Sequence, residues 1–336
     1  MWRAGAIATL SLILAAGAGP TFAANAEVLF GGAYEGVGGL YSVALNGGGP
    51  TLRMAHGLGH VDVSLDGSKI AGVISAGEDG MDIFVADCTG AAPVNITQNS
   101  ALDTRPAWSP GGTQIAFASE RDALWSGQGL SDIYVMDSDG ANVRRLTDDP
   151  SPDLEPTWSP DGTLIAFSTD RDNPNPLLGI INREIYIMTA NGEIVRNLTQ
   201  NPARDEEPDW SPDGSRIAFM STRSGRAAIY TINVDGTDLQ RLTTLPDRGI
   251  WPSWSPDGTQ IAFVSGDWNI SVMNADGSNL RRLTEGQGTT ESPNWFDPTG
   301  VLSPTGKSLR PWGGSSRSAE RRRGDGQGVQ WCSKPS

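Results

Sequence analysis

The sequence repeats one short motif, a tryptophan followed by a tight turn. Four copies read Trp-Ser-Pro-Gly-Gly or Trp-Ser-Pro-Asp-Gly and a fifth is looser, and they begin at Trp108, Trp158, Trp210, Trp254 and Trp295. A motif that recurs every 41 to 52 residues indicates that one supersecondary unit has been copied along the chain. The repeat therefore predicts one repeat domain rather than two unrelated domains.

Each copy predicts four short strands. The tryptophan ends the first strand, and Ser-Pro-Asp-Gly matches the residue preferences of a type I turn. Ile-Ala-Phe forms the second strand, a segment such as Ile133-Tyr-Val-Met136 forms the third, and Arg-Arg-Leu-Thr after an Asp-Gly turn forms the fourth. Four antiparallel strands without helical periodicity predict an all-β fold, with each repeat one blade of a β-propeller.

The ends of the repeat predict how the ring closes. The N-terminal unit lacks its first strand, and the first strand that ends at Trp295 lacks the three strands that should follow it. We therefore expect six blades, with the segment near Asn294 pairing beside the segment near Leu29, because closure removes open sheet edges. Seven blades is the alternative, if Ser303-Pro-Thr-Gly306 begins a further unit.

Composition divides the chain into three parts. Residues 1–26 have the early cation, apolar stretch and small residues of a signal peptide, residues 27–300 form the propeller, and residues 301–336 form a basic tail with the composition of a disordered segment. We expect an exported, periplasmic or extracellular monomer without a transmembrane segment in the mature chain. The net charge of −14 argues against nucleic acid as a partner.

The repeat Trp-Ser-Pro-Asp-Gly-Thr-x-Ile-Ala-Phe, followed by Asp-Ile-Tyr-Val-Met and Arg-Arg-Leu-Thr, resembles the WD40-like or PD40 repeat of TolB-type propellers. The resemblance covers nearly all of residues 27–300, and it implies an exported β-propeller. We expect no counterpart here to the α/β domain that precedes the repeats in TolB, because the predicted signal peptide leads directly into the first blade.

The sequence offers few groups for catalysis. It lacks a Gly-x-Ser-x-Gly nucleophile motif followed by a histidine, and its two histidines are His56 and His60. We predict a protein that is not an enzyme, has no cofactor, and binds a protein segment, peptide or glycan. The alternative is a lyase or hydrolase that holds Ca²⁺ or another divalent cation in an acidic channel. Cys88 and Cys332 leave a single disulfide as a further possibility.

Candidate binding residues lie on the loops that vary between repeats. The Ser-Pro-Asp-Gly and Asp-Gly turns are nearly uniform, so the opposite, variable face is expected to carry the site. The residue three positions before each tryptophan differs from blade to blade, and several tryptophans on this face are not needed for packing. The candidates are Arg105, Asp153, Glu155, Asp205, Glu207, Arg248, Trp251, Trp268 and Trp125.

Charged residues of the variable loops also allow structural roles. The aspartate five residues before the tryptophan, as at Asp153 and Asp205, has a structural role as the alternative to ligand binding. In that role it would brace the connection between blades by accepting hydrogen bonds from backbone amides. Within the loops, Arg171 is expected to pair with Glu184, and Arg121 with Asp132 in the same way.

Overall fold

The computed structural model describes residues 26–55, 58–75, 80–88, 93–122, 130–173, 181–244, 248–286 and 288–296. Within these ranges the regular secondary structure consists of β-strands, and no helix there is long and apolar enough to cross a membrane. The signal peptide and basic tail predicted at the two ends lie almost entirely outside the described residues, and so do His56, Cys332 and Trp125.

The strands form six four-stranded antiparallel sheets, as the repeat predicts. The strands of the first three blades are β1 (Glu27–Tyr34), β2 (Val37–Ala44) and β3 (Thr51–Met54) in blade 1, β4 (Gly59–Val63), β5 (Lys69–Ser75), β6 (Met81–Asp87) and β7 (Val94–Asn95) in blade 2, and β8 (Asp103–Trp108), β9 (Gln114–Ser119), β10 (Asp132–Asp137) and β11 (Arg144–Arg145) in blade 3. Those of the other three blades are β12 (Asp153–Trp158), β13 (Leu164–Thr169), β14 (Glu184–Thr189) and β15 (Ile194–Asn197) in blade 4, β16 (Asp205–Trp210), β17 (Arg216–Ser221), β18 (Ala228–Asn233) and β19 (Gln240–Arg241) in blade 5, and β20 (Gly249–Trp254), β21 (Gln260–Ser265), β22 (Ile270–Asn274) and β23 (Arg281–Arg282) in blade 6.

The last described strand closes the ring. Strand β24 (Gly288–Phe296) pairs antiparallel with β1 and supplies the innermost strand of blade 1. Leu29 lies opposite Asn294, which is the pairing that the incomplete terminal repeats predict. The prediction of six blades with this closure is confirmed.

The turns that follow Trp108, Trp158, Trp210 and Trp254 have the predicted geometry, and the turn after Trp295 lies outside the described residues. The amides of Gly112, Gly162, Gly214 and Gly258 donate to the carbonyl oxygen three residues earlier, each at 2.8 Å. Antiparallel alternation then places the Asp-Gly turn after the third strand on this same face, and the variable loops and inter-blade connections on the other.

The repeated tryptophans pack between neighbouring blades. Trp158 of blade 4 is 8% exposed and shares a hydrophobic cluster with Val135 of blade 3. Trp210 of blade 5 is 6% exposed and shares a cluster with Ile187 of blade 4. These tryptophans are therefore core residues, since each joins one sheet to the preceding one.

A second repeated feature is an ion pair within the blade. It joins the start of the innermost strand to the end of the second strand. Arg171 donates to both carboxylate oxygens of Asp153 at 3.0 Å and stacks over the Phe167 ring at 5.3 Å. The expected pairs of Arg171 with Glu184 and of Arg121 with Asp132 are wrong. Both arginines follow the second strand, whose antiparallel register brings its end beside the buried aspartate that begins the first.

Candidate functional site

Every innermost strand contains a β-bulge that points one side chain into the central channel. At each bulge two residues lie opposite one residue of the neighbouring strand, and the first of the two has a positive φ between 43° and 59°. The six residues are His60, Arg105, Glu155, Glu207, Trp251 and Ser292. Left-handed backbone is costly for residues other than glycine, and bulges that re-aim side chains are common beside binding sites. We call these six residues the channel ring.

Two connected spaces lie along the axis. The channel has a volume of about 480 Å³ and is lined by the channel ring and by the residues that precede the repeated tryptophans, including Asp62 and Asp209. The mouth, on the variable face, has a volume of about 1010 Å³ and includes Trp268 and Arg248 in its wall. Both volumes fall near the range of ordinary ligand sites.

Two carboxylates of the channel ring hold neighbouring blades together. Glu155 accepts hydrogen bonds from the backbone amide of Glu207 at 2.8 Å and from the Ser168 hydroxyl at 2.8 Å. Glu207 in turn accepts the backbone amide of Trp251 at 2.6 Å. Arg105 lies 3.5 Å from the other oxygen of Glu155. The carboxylates therefore satisfy amides that the bulges turn toward the channel.

The environment of the ring shifts two pKa values strongly. Burial, followed by repulsion from Glu155, raises the pKa of Glu207 to about 8, although the Arg105 charge and the Trp251 amide oppose this rise. Burial, followed by repulsion from Arg105, lowers the pKa of His60 to about 3. At neutral pH both side chains are therefore largely uncharged, and His60 is half-buried in the wall of the channel.

Three glutamates of adjacent blades meet at the mouth. Carboxylate oxygens of Glu155, Glu206 and Glu207 all lie within 4.8 Å of one another, a spacing that a cation could bridge. Glu206 already pairs with Arg183 and with Arg204, each at 2.6 Å. Guanidinium groups thus supply the charge that a divalent cation would otherwise provide for this carboxylate.

Two aspartates form the floor of the channel. Asp62 accepts the backbone amide of Trp108 at 2.6 Å, and Asp209 accepts that of Trp254 at 2.6 Å, so each joins two blades. The Asn294 amide also donates to Asp62 at 2.8 Å. Burial raises the pKa of Asp62 to about 6 and that of Asp209 to about 7, and the charge of Asp62 adds to the second shift.

These shifts predict that stability falls as pH rises. In the unfolded chain Asp62 and Asp209 have pKa values near 3.8, so between that value and about 7 the folded state binds more protons, and raising the pH favours unfolding. One pKa unit corresponds to about 1.4 kcal/mol. Because the open channel partly screens the charges, we expect the unfolding free energy to fall by about 2 kcal/mol between about pH 5 and pH 8, as measured by urea denaturation.

The matched variant for this prediction is Asp62→Asn/Asp209→Asn. An amide oxygen can still accept the amides of Trp108 and Trp254, but the side chain does not titrate. The variant should lose about half or more of the wild-type slope with pH. The raised pKa values of Glu207 and Asp132 supply the remainder, and the lowered pKa of His60 opposes it below about pH 6.5. A slope that is unchanged in the variant would show that these carboxyls are not the source.

Aromatic rings form one wall of the mouth. Trp268 is 46% exposed and lies 6.3 Å from Trp251, with the two rings inclined by 50°. The Arg105 guanidinium lies 5.9 Å from the centre of the Trp251 ring. The Trp251 indole N–H is buried and has no hydrogen-bond partner among the described residues. A large exposed tryptophan such as Trp268 is typical of a ligand-binding surface.

The structure separates the candidate residues into two groups. Six lie in the channel or at its mouth: Arg105, Glu155, Glu207, Arg248, Trp251 and Trp268. Asp153 and Asp205 are fully buried and pair with Arg171 and Arg223, so they brace the blades, through guanidinium groups rather than backbone amides. Trp125 lies outside the described residues.

Sequence reasoning missed several residues of the site. Asp62 and Asp209 could have been found, because the position before the tryptophan otherwise carries Ala107, Thr157, Ser253 and Asn294, and an acid interrupts this series. Arg183 and Arg204 gave no comparable signal, since they lie in variable loops and connections. Glu206 lies in a strand of uniform length, at the position that carries Thr104, Leu154 and Ile250 in other blades.

The comparisons with known proteins agree with the repeat. A family model described as the TolB beta propeller domain matches residues 179–303. An uncharacterized protein of Agrobacterium fabrum is 33% identical over 126 residues, which cover 33% of this chain and 43% of that relative, so the match spans less than half of the relative's length.

Solved structures extend the likeness in fold. The chain aligns with TolB from Acinetobacter baumannii at 24% identity and a TM-score of 0.66, covering 80% of this chain and 66% of the other. It also aligns with an oligogalacturonate lyase in complex with manganese at 17% identity and a TM-score of 0.53, covering 76% and 73%. At these identities the likeness concerns the propeller alone. The predicted resemblance to TolB-type propellers is confirmed.

Proposed function

We propose that this TolB-type propeller is an exported, non-catalytic scaffold that binds a protein segment at the mouth of its central channel. The observation that carries the proposal is the channel ring, whose six positions share one strained backbone geometry but present different side chains. A ring of identical residues would offer the same contact in every direction, whereas this ring gives the mouth distinct acidic, basic and aromatic sides. Such asymmetry is what recognition of an extended, directional chain requires.

The aromatic wall supports a peptide ligand. Trp251 and Trp268 lie beside each other in the wall of the mouth and together offer a large apolar surface to a side chain of the ligand. Tryptophan and arginine are enriched in the residues that dominate protein interfaces. The mouth volume of about 1010 Å³ is enough for several residues of an extended chain.

Export is part of the proposal because residues 1–26 have the composition of a signal peptide. An envelope or extracellular location would place the mouth in contact with exported proteins. N-terminal sequencing of the protein secreted from a bacterial host tests this point, with cleavage expected after Ala23 or Ala26.

The binding test uses a displayed library of random dodecapeptides. We expect the wild-type propeller to select peptides that Trp268→Ala binds at least tenfold more weakly, because this side chain is exposed and its loss leaves the fold intact. Leu52→Ala is the matched control, as Leu52 is 42% exposed on the outer strand β3, far from the mouth. Equal binding by wild type and Trp268→Ala would refute the proposed surface.

The three glutamates favour one alternative function, a lyase or hydrolase that uses a divalent cation. In this case Mn²⁺ or Ca²⁺ should raise the melting temperature of the wild type, and Glu155→Gln/Glu207→Gln should abolish the rise. That result, together with failure of the peptide selection, would favour the cation-dependent enzyme over the binding scaffold.

A further inference from the structure

Four arginines lie side by side along one half of the mouth. They come from successive loops of the variable face in blades 4 to 6, and they are Arg183, Arg204, Arg226 and Arg248. We call them the arginine arc. The arc ends beside the aromatic wall, because Trp268 lies in the next loop of blade 6 and lines the same space.

The two halves of the arc differ in how their charges are used. Arg183 and Arg204 share the buried carboxylate of Glu206, and Asp170 lies 4.0 Å from Arg183. Arg226 and Arg248 are exposed, and neither forms an ion pair with any described residue. Both arginines therefore line the mouth without an ion-pair partner among the described residues, and Arg248 also lines an adjacent groove that contains Asp267.

This cationic surface contrasts with the protein as a whole. The chain has a net charge of −14, so unpaired arginines gathered at one opening are not a consequence of composition. The mouth is also less acidic than its glutamates suggest, because the raised pKa of Glu207 keeps that side chain largely protonated at neutral pH. An anionic ligand would be repelled by most of the surface and attracted to this one side.

We propose that the segment bound at the mouth is acidic, with its carboxylates on Arg226 and Arg248 and an apolar side chain against Trp251 and Trp268. This inference rests on the proposed function, and it adds the charge and the orientation of the ligand. Guanidinium groups bind carboxylates through paired hydrogen bonds, which fixes the position of the chain as well as its affinity.

The geometry of the aromatic wall favours a peptide over an acidic glycan. A sugar ring stacks on a flat and open aromatic face, but Arg105 lies over the ring of Trp251, and Trp268 is inclined to it by 50°. The two rings form a corner that suits a branched or aromatic side chain. Peptides supply such side chains and carboxylates together.

The test compares the peptides selected by the wild type across three variants. Arg226→Gln/Arg248→Gln removes the free half of the arc, and Trp268→Ala removes the aromatic wall. Arg144→Gln/Arg196→Gln is the matched control, since it removes two exposed charges from outer strands β11 and β15. The affinity of individual peptides is measured by fluorescence anisotropy at low and high NaCl concentrations.

We expect the selected peptides to be enriched in Asp and Glu relative to the starting library. They should bind Arg226→Gln/Arg248→Gln at least tenfold more weakly than the control variant, and high salt should remove most of this difference because it screens exposed charges.

Each other outcome overturns a defined part of the argument. Peptides that depend on Trp268 but show no acidic enrichment and no loss with Arg226→Gln/Arg248→Gln would refute the acidic segment and leave the binding scaffold in place. Failure to select any Trp268-dependent peptide would refute both. An oligogalacturonate is tested in the same way. If it binds more tightly than every selected peptide and depends on the same arginines, the ligand is an acidic glycan and the acidic peptide is refuted.

Discussion

Replacing Trp210 by Ala is expected to lower the free energy of unfolding by about 3 to 5 kcal/mol, the usual cost of removing a large buried aromatic side chain. Trp210 is 6% exposed and shares a hydrophobic cluster with Ile187 of the preceding blade and Phe219 of its own. Its indole N–H also donates to the Thr157 carbonyl at 3.3 Å. The truncation therefore leaves a cavity between two sheets and an acceptor without its partner. Urea denaturation followed by circular dichroism measures the loss.

Trp268→Ala is the control for this experiment. Its side chain is 46% exposed, so the same chemical change should cost less than about 1 kcal/mol. Similar losses for both variants would contradict the division of the tryptophans into blade packing and ligand binding. A small loss for Trp210→Ala alone would show that neighbouring blades are held mainly by other contacts.

The fold could be predicted because its determinants are repeated and local. Each Ser-Pro-Asp-Gly turn marks the end of one strand, and continuous apolar runs such as Ile-Ala-Phe mark strands that are buried on both faces. The pairing of Leu29 with Asn294 followed from counting strands, without knowledge of any contact. Periodic sequences allow this because an error in one copy is corrected by the others.

The roles of the charged residues could not be predicted in the same way. The position of Glu155 and Glu207 in the channel ring follows from the repeat, but their partners lie in the next blade, 52 and 44 residues further along the chain. Asp153 looked equally suited to the mouth, yet the register of two strands places it beside Arg171. A difference of two positions along one strand separates the buried ion pair of Asp153 from the channel side chain of Glu155.

The position of the arginine arc could not be predicted from the repeats. Arg226 and Arg248 lie in loops that differ in length and sequence between blades, so no copy indicates where their side chains point. Their proximity depends on the angle between neighbouring blades, which is a property of the closed ring. The binding surface is therefore determined by the same closure that completes blade 1.

Gly32→Ala should test that closure and is expected to lower the unfolding free energy by about 3 kcal/mol or more. Gly32 lies in β1 with a φ of +137°, a conformation that residues with a Cβ rarely adopt. An added Cβ would also overlap the carbonyl oxygen of Thr289 in β24, which is backbone and cannot rotate away. The pairing between β1 and β24 must then separate or shift. Loss of stability and faster amide hydrogen exchange in both strands measure the effect.

Gly38→Ala provides the comparison within the same sheet. Gly38 lies in the neighbouring strand β2 without a positive φ, and an added Cβ would meet nothing within 4 Å. It should leave stability unchanged or raise it slightly, because alanine restricts the unfolded chain. If Gly32→Ala were equally neutral, the pairing of the two chain ends would contribute little to the ring. In that event the position of Ser292 in the channel ring would not depend on the pairing of β24 with β1.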